Sequence, residues 1–268
     1  LSSSSGTPLQ DLCGTITPSD LHFERHHAGI PTIDSDEHEL LVHGMVDRPT
    51  VFRMADLKRY PEASRIHFVE CSGNGGGAYN PERMRTEMSP QSLDGLLSNS
   101  EWTGVMLSTI LQEVGVQPGA SWVLAEGRDA AMLSRSIPLA KAMDDAMLAY
   151  GQNGEAIRPE QGYPLRLALP GWEGNAQVKW LRRLEVSDRP TMTREETSKY
   201  TDPLEGGTAR QFSFVMDAKS IITFPSYPYV LPEQGWWEIK GLAWTGRGKI
   251  TSVEVSTDGG RNWTEAEL

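Results

Sequence analysis

A strand-like run that ends in a cysteine, directly before a loop of glycines, limits what this chain can build. Residues 65–70 alternate between polar and apolar types, which predicts a strand, and Cys71 stands at its end. Residues 72–77 carry almost no side chains, so a bulky group can approach the backbone there. A thiolate at this position is a soft ligand that suits a soft or high-valent metal. Two interpretations follow: Cys71 binds a metal, or it is a buried structural thiol before a tight turn.

The composition is that of an ordinary globular chain with an acidic balance. Its 268 residues, 38% of them hydrophobic, suffice for one large or two modest domains. No apolar run approaches the roughly 18 residues that span a bilayer, so we expect no membrane span. A net charge of −11 without a basic block argues against a nucleic-acid partner. Two cysteines cannot build a disulfide framework, although a Cys13–Cys71 bridge stays an alternative that would remove the thiolate.

Changes in residue type divide the chain into three parts. Residues 1–20 are rich in Ser, Thr, Gly and Pro and are expected to form an N-terminal arm. Residues 21–212 mix helical and strand patterns without a regular strand–helix–strand rhythm, which predicts an α+β domain. Residues 213–268 show short strands and a hairpin-turn signal at 257–260. They predict an antiparallel, immunoglobulin-like β-sandwich that is truncated, because such a sandwich needs roughly 100 residues.

Periodicity places individual elements within these parts. Helices are predicted at residues 54–60, 105–114 and 136–150. Strands are predicted at residues 40–46, 165–169, 178–181, 183–186, 236–244 and 250–256.

The glycines after Cys71 formally match the phosphate-binding pattern of dinucleotide-binding proteins. That pattern requires a helix to begin at the loop. Tyr79, Asn80 and Pro81 follow instead and disfavour a helix. We therefore expect no nicotinamide or flavin cofactor at this loop.

A second polar cluster lies at residues 25–27. Arg25 and His27 share a face of an extended segment, where a cation beside a neutral imidazole can hold an oxyanion. The adjacent His26 and His27 also suggest zinc, but no further ligands stand at the spacing of a structural zinc site. A basic surface loop is the third interpretation.

A third cluster combines a predicted buried strand, a Pro-Gly turn and a glycine-rich loop with nearby cations, within residues 162–183. Backbone N–H groups of that loop, together with Lys179, could cradle an anionic ligand. The alternative is two strands joined by a turn, with charges at the surface.

Together the clusters resemble one protein family over essentially the whole chain. The matching motifs stand in order at residues 25–31, 71–74, 162–171, 178–181, 241–246 and 256–263. They are similar to the motifs of the sulfite oxidase family of molybdenum enzymes. Residues 22–31, 44–49, 149–154 and 158–163 are most similar to the sulfane dehydrogenase catalytic subunits of bacterial Sox sulfur-oxidation systems.

The resemblance implies roles for four residues. Cys71 would be the single protein thiolate on molybdenum, and Arg25 would hold the oxyanion of substrate or product. His27 would be a nearby proton-handling group. Tyr200 falls where the family has an active-site tyrosine, and it would hydrogen-bond an oxygen of the substrate or the cofactor.

The resemblance also implies which residues contact the cofactor, a molybdopterin that carries molybdenum. The implied contacts come from all three clusters and their surroundings: Phe23, His26, Cys71, Ser72, Gly73, Asn74, Asp129, Arg166, Gly174, Asn175, Gln177 and Lys179. Asp129, Arg166 and Lys179 would lie at the pterin and its phosphate.

The implied architecture is a sulfite-oxidase-type molybdopterin-binding domain followed by the immunoglobulin-like dimerisation domain. The implied activity is oxidation of sulfane or persulfide sulfur on a carrier protein, with oxygen from water. The chain would bind no haem and would pass electrons to a c-type cytochrome. It would be a homodimer core in a hetero-oligomer, exported to the bacterial periplasm with its signal absent from this sequence. A sulfite dehydrogenase and a non-catalytic partner or incomplete fragment are the alternatives.

One departure from the family bears on the substrate. Animal sulfite oxidases have two arginines after the Cys-x-Gly-Asn motif, where this chain has Gly75 and Gly76. A desolvated, charge-assisted hydrogen bond contributes about 1.5–3 kcal/mol. A pocket that lacks one cation should hold a small free dianion less well, which favours a larger, protein-tethered persulfide.

Overall fold

A computed structural model describes residues 2–79 and 87–268, and within them it contains eighteen strands and five α-helices. The strands are β1 Ser3–Ser5, β2 Glu24–His26, β3 Glu39–Gly44, β4 Thr50–Arg53, β5 Glu62–Glu70, β6 Leu97–Met106, β7 Trp122–Gly127, β8 Ser134–Pro138, β9 Met147–Gln152, β10 Glu155–Ala156, β11 Arg166–Ala168, β12 Leu181–Ser187, β13 Asp202–Pro203, β14 Ala209–Arg210, β15 Lys219–Phe224, β16 Lys240–Trp244, β17 Glu254–Val255 and β18 Thr264–Glu265. The helices are α1 Met54–Leu57, α2 Pro90–Asp94, α3 Leu107–Val114, α4 Leu139–Asp144 and α5 Arg194–Lys199.

Two five-stranded sheets form the framework and confirm the predicted α+β class. The first has the order β10-β9-β6-β5, with β11 also paired to β9, and these pairs are antiparallel. The second has the order β4-β3-β12-β7-β8, in which β3 and β12 are parallel. Strand β5 lies at an edge of the first sheet and ends at Glu70, so Cys71 leaves the sheet at its margin.

The main hydrophobic core lies between the sheets and the short helices. Strand β3 contributes Leu40 and Val42, which are fully buried, because alternate side chains of a strand point to the same face. Helix α3 contributes four buried residues at helical spacing: Leu107, Ile110, Leu111 and Val114. The helix ends as predicted at Gly115, whose φ of +74° suits a residue without a Cβ.

A smaller, separate hydrophobic cluster lies beneath Cys71. Phe23, Val69 and the fully buried Trp102 belong to it, and Cys71 packs against it. The thiol-bearing turn therefore rests on a closely packed base, which limits how far the turn can move.

The predicted helix at 136–150 is wrong on both sides of α4, since residues 136–138 belong to β8 and the helix ends at Asp144. Helix α4 ends there, and the following segment forms β9, which pairs with β6, β10 and β11. Met147, Leu148 and Ala149 are all buried. A strand buried on both faces shows an apolar run without alternation, which periodicity cannot distinguish from a helix. The predicted strand at 178–181 is also wrong in its bounds, since regular pairing begins at Leu181.

The N-terminal arm is packed against the body of the protein. Strand β1 pairs with β2, and Thr7, Leu9 and Thr17 are buried. The backbone N–H of Thr17 donates to the carbonyl of Asn99 at 2.7 Å. The expectation that Asn80 and Pro81 disfavour a helix concerns positions outside the described residues.

Residues 213–268 contain two antiparallel ladders, β15–β16 and β17–β18, as predicted for this segment. The strands are shorter than predicted, since 236–244 reduces to β16 and 250–256 to β17. Gly171 of the α+β part touches Gly246 of this segment, and a Cβ on Gly171 would lie 2.6 Å from the Gly246 carbonyl oxygen. Met216 joins both glycines through backbone hydrogen bonds of 3.0 and 2.8 Å. The two parts of the chain are therefore in close backbone contact.

A fully buried ion pair joins β8 to α5. The Nε of Arg135 lies 3.4 Å from Oε1 of Glu196, and neither side chain is exposed. The other Glu196 oxygen accepts from the N–H of Thr193 at 2.9 Å, which completes a capping box at the start of α5. Glu196 thus caps the N-terminus of α5 and compensates the charge of the buried Arg135 guanidinium.

We expect Glu196→Ala to destabilise the folded chain by about 3–5 kcal/mol, because it leaves the Arg135 charge buried without a partner. Urea unfolding measures this change. Glu39→Ala is the control, since it breaks an exposed pair with Arg53, and its unfolding midpoint should match that of the wild type. Equal midpoints for both variants would contradict the expectation.

Candidate active site around Cys71

A cavity opens beside Cys71 and brings the three sequence clusters together. Twelve of the residues predicted for the site line it: Phe23, Arg25, His26, His27, Cys71, Asp129, Arg166, Gly174, Asn175, Gln177, Lys179 and Tyr200. The residues at positions 23–27, 71 and 166 come from the ends of β2, β5 and β11 and the positions next to them, and the others come from segments between strands.

Cys71 is held by its backbone. Its N–H donates to the Leu96 carbonyl at 3.0 Å, and its carbonyl accepts from the Asn74 N–H at 2.9 Å. Both cysteines are free, so the alternative of a Cys13–Cys71 disulfide is wrong. The half-buried thiol faces the cavity and is available as a ligand.

Arg25 and His27 approach the cavity from β2 and the residue after it. The Nη1 of Arg25 donates to the hydroxyl of Ser2 at 2.9 Å and to the carbonyl of His26 at 3.0 Å. These bonds tie the guanidinium to the paired β1 and β2 strands. Partial burial, followed by the charge of Arg25, lowers the pKa of His27, so its imidazole is neutral at pH 7.

Two cations lie deep in the same cavity. Arg166 donates to the carbonyls of Gln161 at 3.1 Å and Gln177 at 3.4 Å, and Lys179 donates to those of Arg25 and Glu160. Within residues 2–79 and 87–268, neither cation forms an ion pair with a carboxylate. Burial lowers the pKa of Arg166 to about 9, and burial together with the nearby Arg166 charge lowers the pKa of Lys179 to about 7.

Tyr200 forms another wall of the cavity. The guanidinium of the buried Arg135 lies 4.4 Å from the centre of its ring, a cation–π contact that holds the ring in place. Burial raises the pKa of the phenol, although a hydrogen bond with the Ser72 side chain and the Arg135 charge oppose this. The phenol is therefore protonated at neutral pH and can donate a hydrogen bond.

Three predicted cofactor contacts lie outside this cavity. Ser72 stands at its margin beside Tyr200, and Gly73 and Asn74 line a different groove behind the Cys71 turn. The Asn74 side chain donates to the carboxylate of Glu70 at 3.0 Å and accepts from the Leu96 N–H. Asn74 therefore braces the turn from the side away from the cavity.

Comparison with known proteins identifies the family. Residues 27–195 match the family model described as "Oxidoreductase molybdopterin binding domain", and residues 210–268 match "Mo-co oxidoreductase dimerisation domain". The chain belongs to the sulfite oxidase family of molybdenum oxidoreductases. Most residues that line the cavity beside Cys71 lie within the molybdopterin-binding match, whereas Phe23, Arg25, His26 and Tyr200 lie just outside it.

Relatives within this family carry different names. Mitochondrial sulfite oxidase of Drosophila melanogaster is 32% identical over 278 residues, which cover 94% of this chain and 47% of that protein. A nitrate reductase of Ulva prolifera is 30% identical over 280 residues, which cover 94% of this chain and 32% of that protein. The chain thus spans about a third to a half of the length of these relatives.

A solved structure of the family is similar over nearly the whole chain. The crystal structure of the sulfane dehydrogenase SoxCD from Paracoccus pantotrophus superposes with a TM-score of 0.93 at 48% identity. The match covers 99% of this chain and 68% of that one. The arrangement of a molybdenum-cofactor domain followed by a dimerisation domain is therefore confirmed.

The residues around the cavity fit the anionic molybdenum cofactor of this family. Several buried polar atoms at or beside the cavity have no partner among the described residues: His22 Nε2, His26 Nδ1, Arg166 Nε and Asn175 Oδ1. An anionic ligand with many polar groups would satisfy these atoms and compensate Arg166 and Lys179. In the described part of the chain, no cluster of three His, Cys, Asp or Glu side chains could hold a metal by itself.

Two residues that the sequence did not single out support the site. His22 is buried, stacks on the Phe23 ring at 5.2 Å between centroids, and burial lowers its pKa to about 3. Gln161 lines the cavity and donates to the Phe23 carbonyl at 2.8 Å. His22 is the sequence neighbour of Phe23, whereas Gln161 reaches Phe23 from 138 residues away, so no local motif signalled Gln161.

The Lys179 charge should make the stability of the cofactor-free chain depend on pH. Its pKa falls from the ordinary 10.5 to about 7 on folding, so between these values the unfolded chain binds more protons than the folded one. The free energy of unfolding should therefore rise from about pH 7 to 10.5. Lys179→Met should reduce this rise, as measured by urea unfolding at several pH values.

The control is Lys240→Met, which removes an exposed lysine, and it should keep the wild-type dependence. A Lys179→Met protein with the same rise as the wild type would show that Lys179 is fully charged in the folded chain.

Proposed function

We propose that this protein is a sulfane dehydrogenase that oxidises reduced sulfur attached to a carrier protein. The observation that carries the proposal is the cavity in which Cys71, Arg25, His27 and Tyr200 meet above two buried cations. The 48% identity to a structure titled as a sulfane dehydrogenase supports this choice of substrate class.

The cofactor would be held by Cys71 at its metal and by Arg166 and Lys179 at its anionic groups. When bound, it supplies a two-electron oxidation in which the added oxygen comes from water. The residues of the chain bind and orient the reactants and exclude competing solvent. Asp129, Asn175 and Gln177, which line the same cavity, supply further polar contacts.

Three side chains would act on the sulfur substrate. The Arg25 guanidinium would stabilise a developing oxyanion, a contribution of about 2.7–4 kcal/mol for such donors in other enzymes. The neutral His27 would accept a proton from water, since its lowered pKa leaves its imidazole unprotonated. The protonated Tyr200 would donate a hydrogen bond to an oxygen of the product.

The glycines after Cys71 support a large substrate. Gly75 and Gly76 have no side chain and line the groove behind the Cys71 turn, so they place no cation in the cavity. A carrier protein with a modified cysteine brings its own binding surface and depends less on such a cation. Free sulfite depends more strongly on cations that surround it.

We further propose that electrons leave to a c-type cytochrome in the bacterial periplasm. The net charge of −11 would suit a basic partner.

The match to a dimerisation domain supports a homodimeric core within a larger assembly. We place the division between the two domains at residues 212 and 213. No helix in residues 2–79 and 87–268 combines the length and apolar character needed to cross a bilayer.

Cys71→Ser should abolish sulfur oxidation, because a hydroxyl does not replace a thiolate as a soft ligand. The variant should fold, since the backbone bonds of residue 71 do not involve its side chain. Turnover, molybdenum content and circular dichroism together test this. Cys13→Ser is the matched control and should keep full activity. Full turnover of the Cys71→Ser protein would overturn the assignment.

A comparison of substrates tests the proposed specificity. We expect a higher kcat/KM with a carrier-bound persulfide than with free sulfite. A wild-type preference for free sulfite would favour a sulfite dehydrogenase, and turnover of nitrate alone would exclude both sulfur activities.

A further inference from the structure

The residue directly before Cys71 is a buried carboxylate with partners in the dimerisation segment. Glu70 ends β5 and is not exposed to solvent. Its Oε1 accepts from Nζ of Lys219 at 2.7 Å, and its Oε2 accepts from Nε1 of Trp244 at 2.6 Å. Both oxygens of the carboxylate are therefore engaged by residues about 150 positions or more further along the chain.

Lys219 and Trp244 act as a pair. They are opposite each other in the β15–β16 ladder, which belongs to the part that matches the dimerisation family model. Opposed residues in a ladder have a fixed separation, so the two donors reach Glu70 together. The ladder thus presents one rigid contact to the end of β5.

Glu70 also connects to the turn that carries the thiol. Its Oε1 accepts from Nδ2 of Asn74 at 3.0 Å. The Oδ1 of Asn74 accepts from the N–H of Leu96 at 2.9 Å, and Leu96 in turn accepts from the N–H of Cys71. The Asn74 N–H donates to the Cys71 carbonyl. Cys71 is therefore held at both its N–H and its carbonyl by groups that depend on the Glu70 carboxylate.

Burial strengthens this connection. A carboxylate in the interior interacts more strongly with its partners than one in water, and loss of one partner is correspondingly costly. Asp94 is another carboxyl group near Lys219 and Glu70. Burial raises the pKa of Asp94, which makes it a weaker competitor than Glu70 for the ammonium group of Lys219. Glu70 does not line the cavity, so it cannot contact substrate or cofactor there.

We propose that Glu70 is a positioning residue through which Lys219 and Trp244 of the dimerisation segment set the geometry of the Cys71 turn. The inference deepens the proposed function, since it rests on Cys71 as the metal ligand. In this arrangement the dimerisation segment completes the support of the active site from behind. A substitution in that segment would therefore change the position of the Cys71 sulfur, although the substituted residue does not contact substrate.

The first test measures the Cys71 thiol without molybdenum. The full chain, in a Cys13→Ser background, is produced in cells that do not make the cofactor, and the rate of alkylation by iodoacetamide is measured well below the unfolding midpoint. Lys219→Met and Trp244→Phe should each raise the rate about tenfold, which corresponds to about 1.4 kcal/mol in the opening of the turn. Lys240→Met and Trp263→Phe, which alter exposed residues of the same segment, should leave it unchanged.

The second test uses the holoenzyme. Lys219→Met should shift the Mo(V) electron paramagnetic resonance signal and lower kcat several-fold with little change in KM, because ligand geometry changes while substrate contacts stay. Unchanged alkylation rates in both Lys219→Met and Trp244→Phe would overturn the inference. So would an equal rise in the two control variants. Since the alkylation test involves no metal, its outcome is separate from that of Cys71→Ser, which tests the proposed function.

Discussion

Two positive charges inside a cavity, without a carboxylate partner among residues 2–79 and 87–268, account for much of this site. Arg166 and Lys179 donate to main-chain carbonyls, which do not neutralise them, and burial lowers the pKa of both. The same low dielectric explains why the nearby histidines are neutral. A folded chain retains such an arrangement at a cost in stability, and an anionic cofactor removes that cost. The fold therefore provides a binding site for an anion before any ligand is present.

The position of the Cys71 thiol depends on parts of the chain that are far apart in sequence. Strand β5 brings Cys71 to the edge of a sheet, β2 and β11 bring the cations, and α5 is followed by Tyr200. Arg135, compensated by Glu196, supports the tyrosine ring from below. Behind the turn, Glu70 connects to Lys219 and Trp244. The cavity is thus formed by the α+β domain, and the dimerisation segment packs against its rear wall.

Local sequence patterns correctly predicted elements that depend on local features, such as an apolar helix face or a glycine at a helix end. Helix α3 has an apolar face at helical spacing and ends at a glycine with positive φ, and both signals are visible in the sequence. The segment 136–150 misled the same reasoning, because β9 is covered on both faces and loses its alternation. Motif resemblance placed Cys71, Arg25 and Tyr200 in one site, and the cavity contains all three. Resemblance also placed Gly73 and Asn74 on the cofactor, whereas their side of the turn faces another groove.

By itself, the sequence determined the family, the α+β class, the cysteine before a glycine loop and the glycines at positions 75 and 76. These features depend on residue identity and on short spacings, which can be read directly from the sequence. Only the tertiary structure decided which buried polar atoms lack partners among the described residues, that Gln161 holds Phe23, and that Glu70 connects the dimerisation segment to Cys71. Each of these depends on burial and on contacts between residues far apart along the chain. The local spacing of residues in a single sequence does not show which distant residues pack against each other, so these contacts cannot be predicted from it.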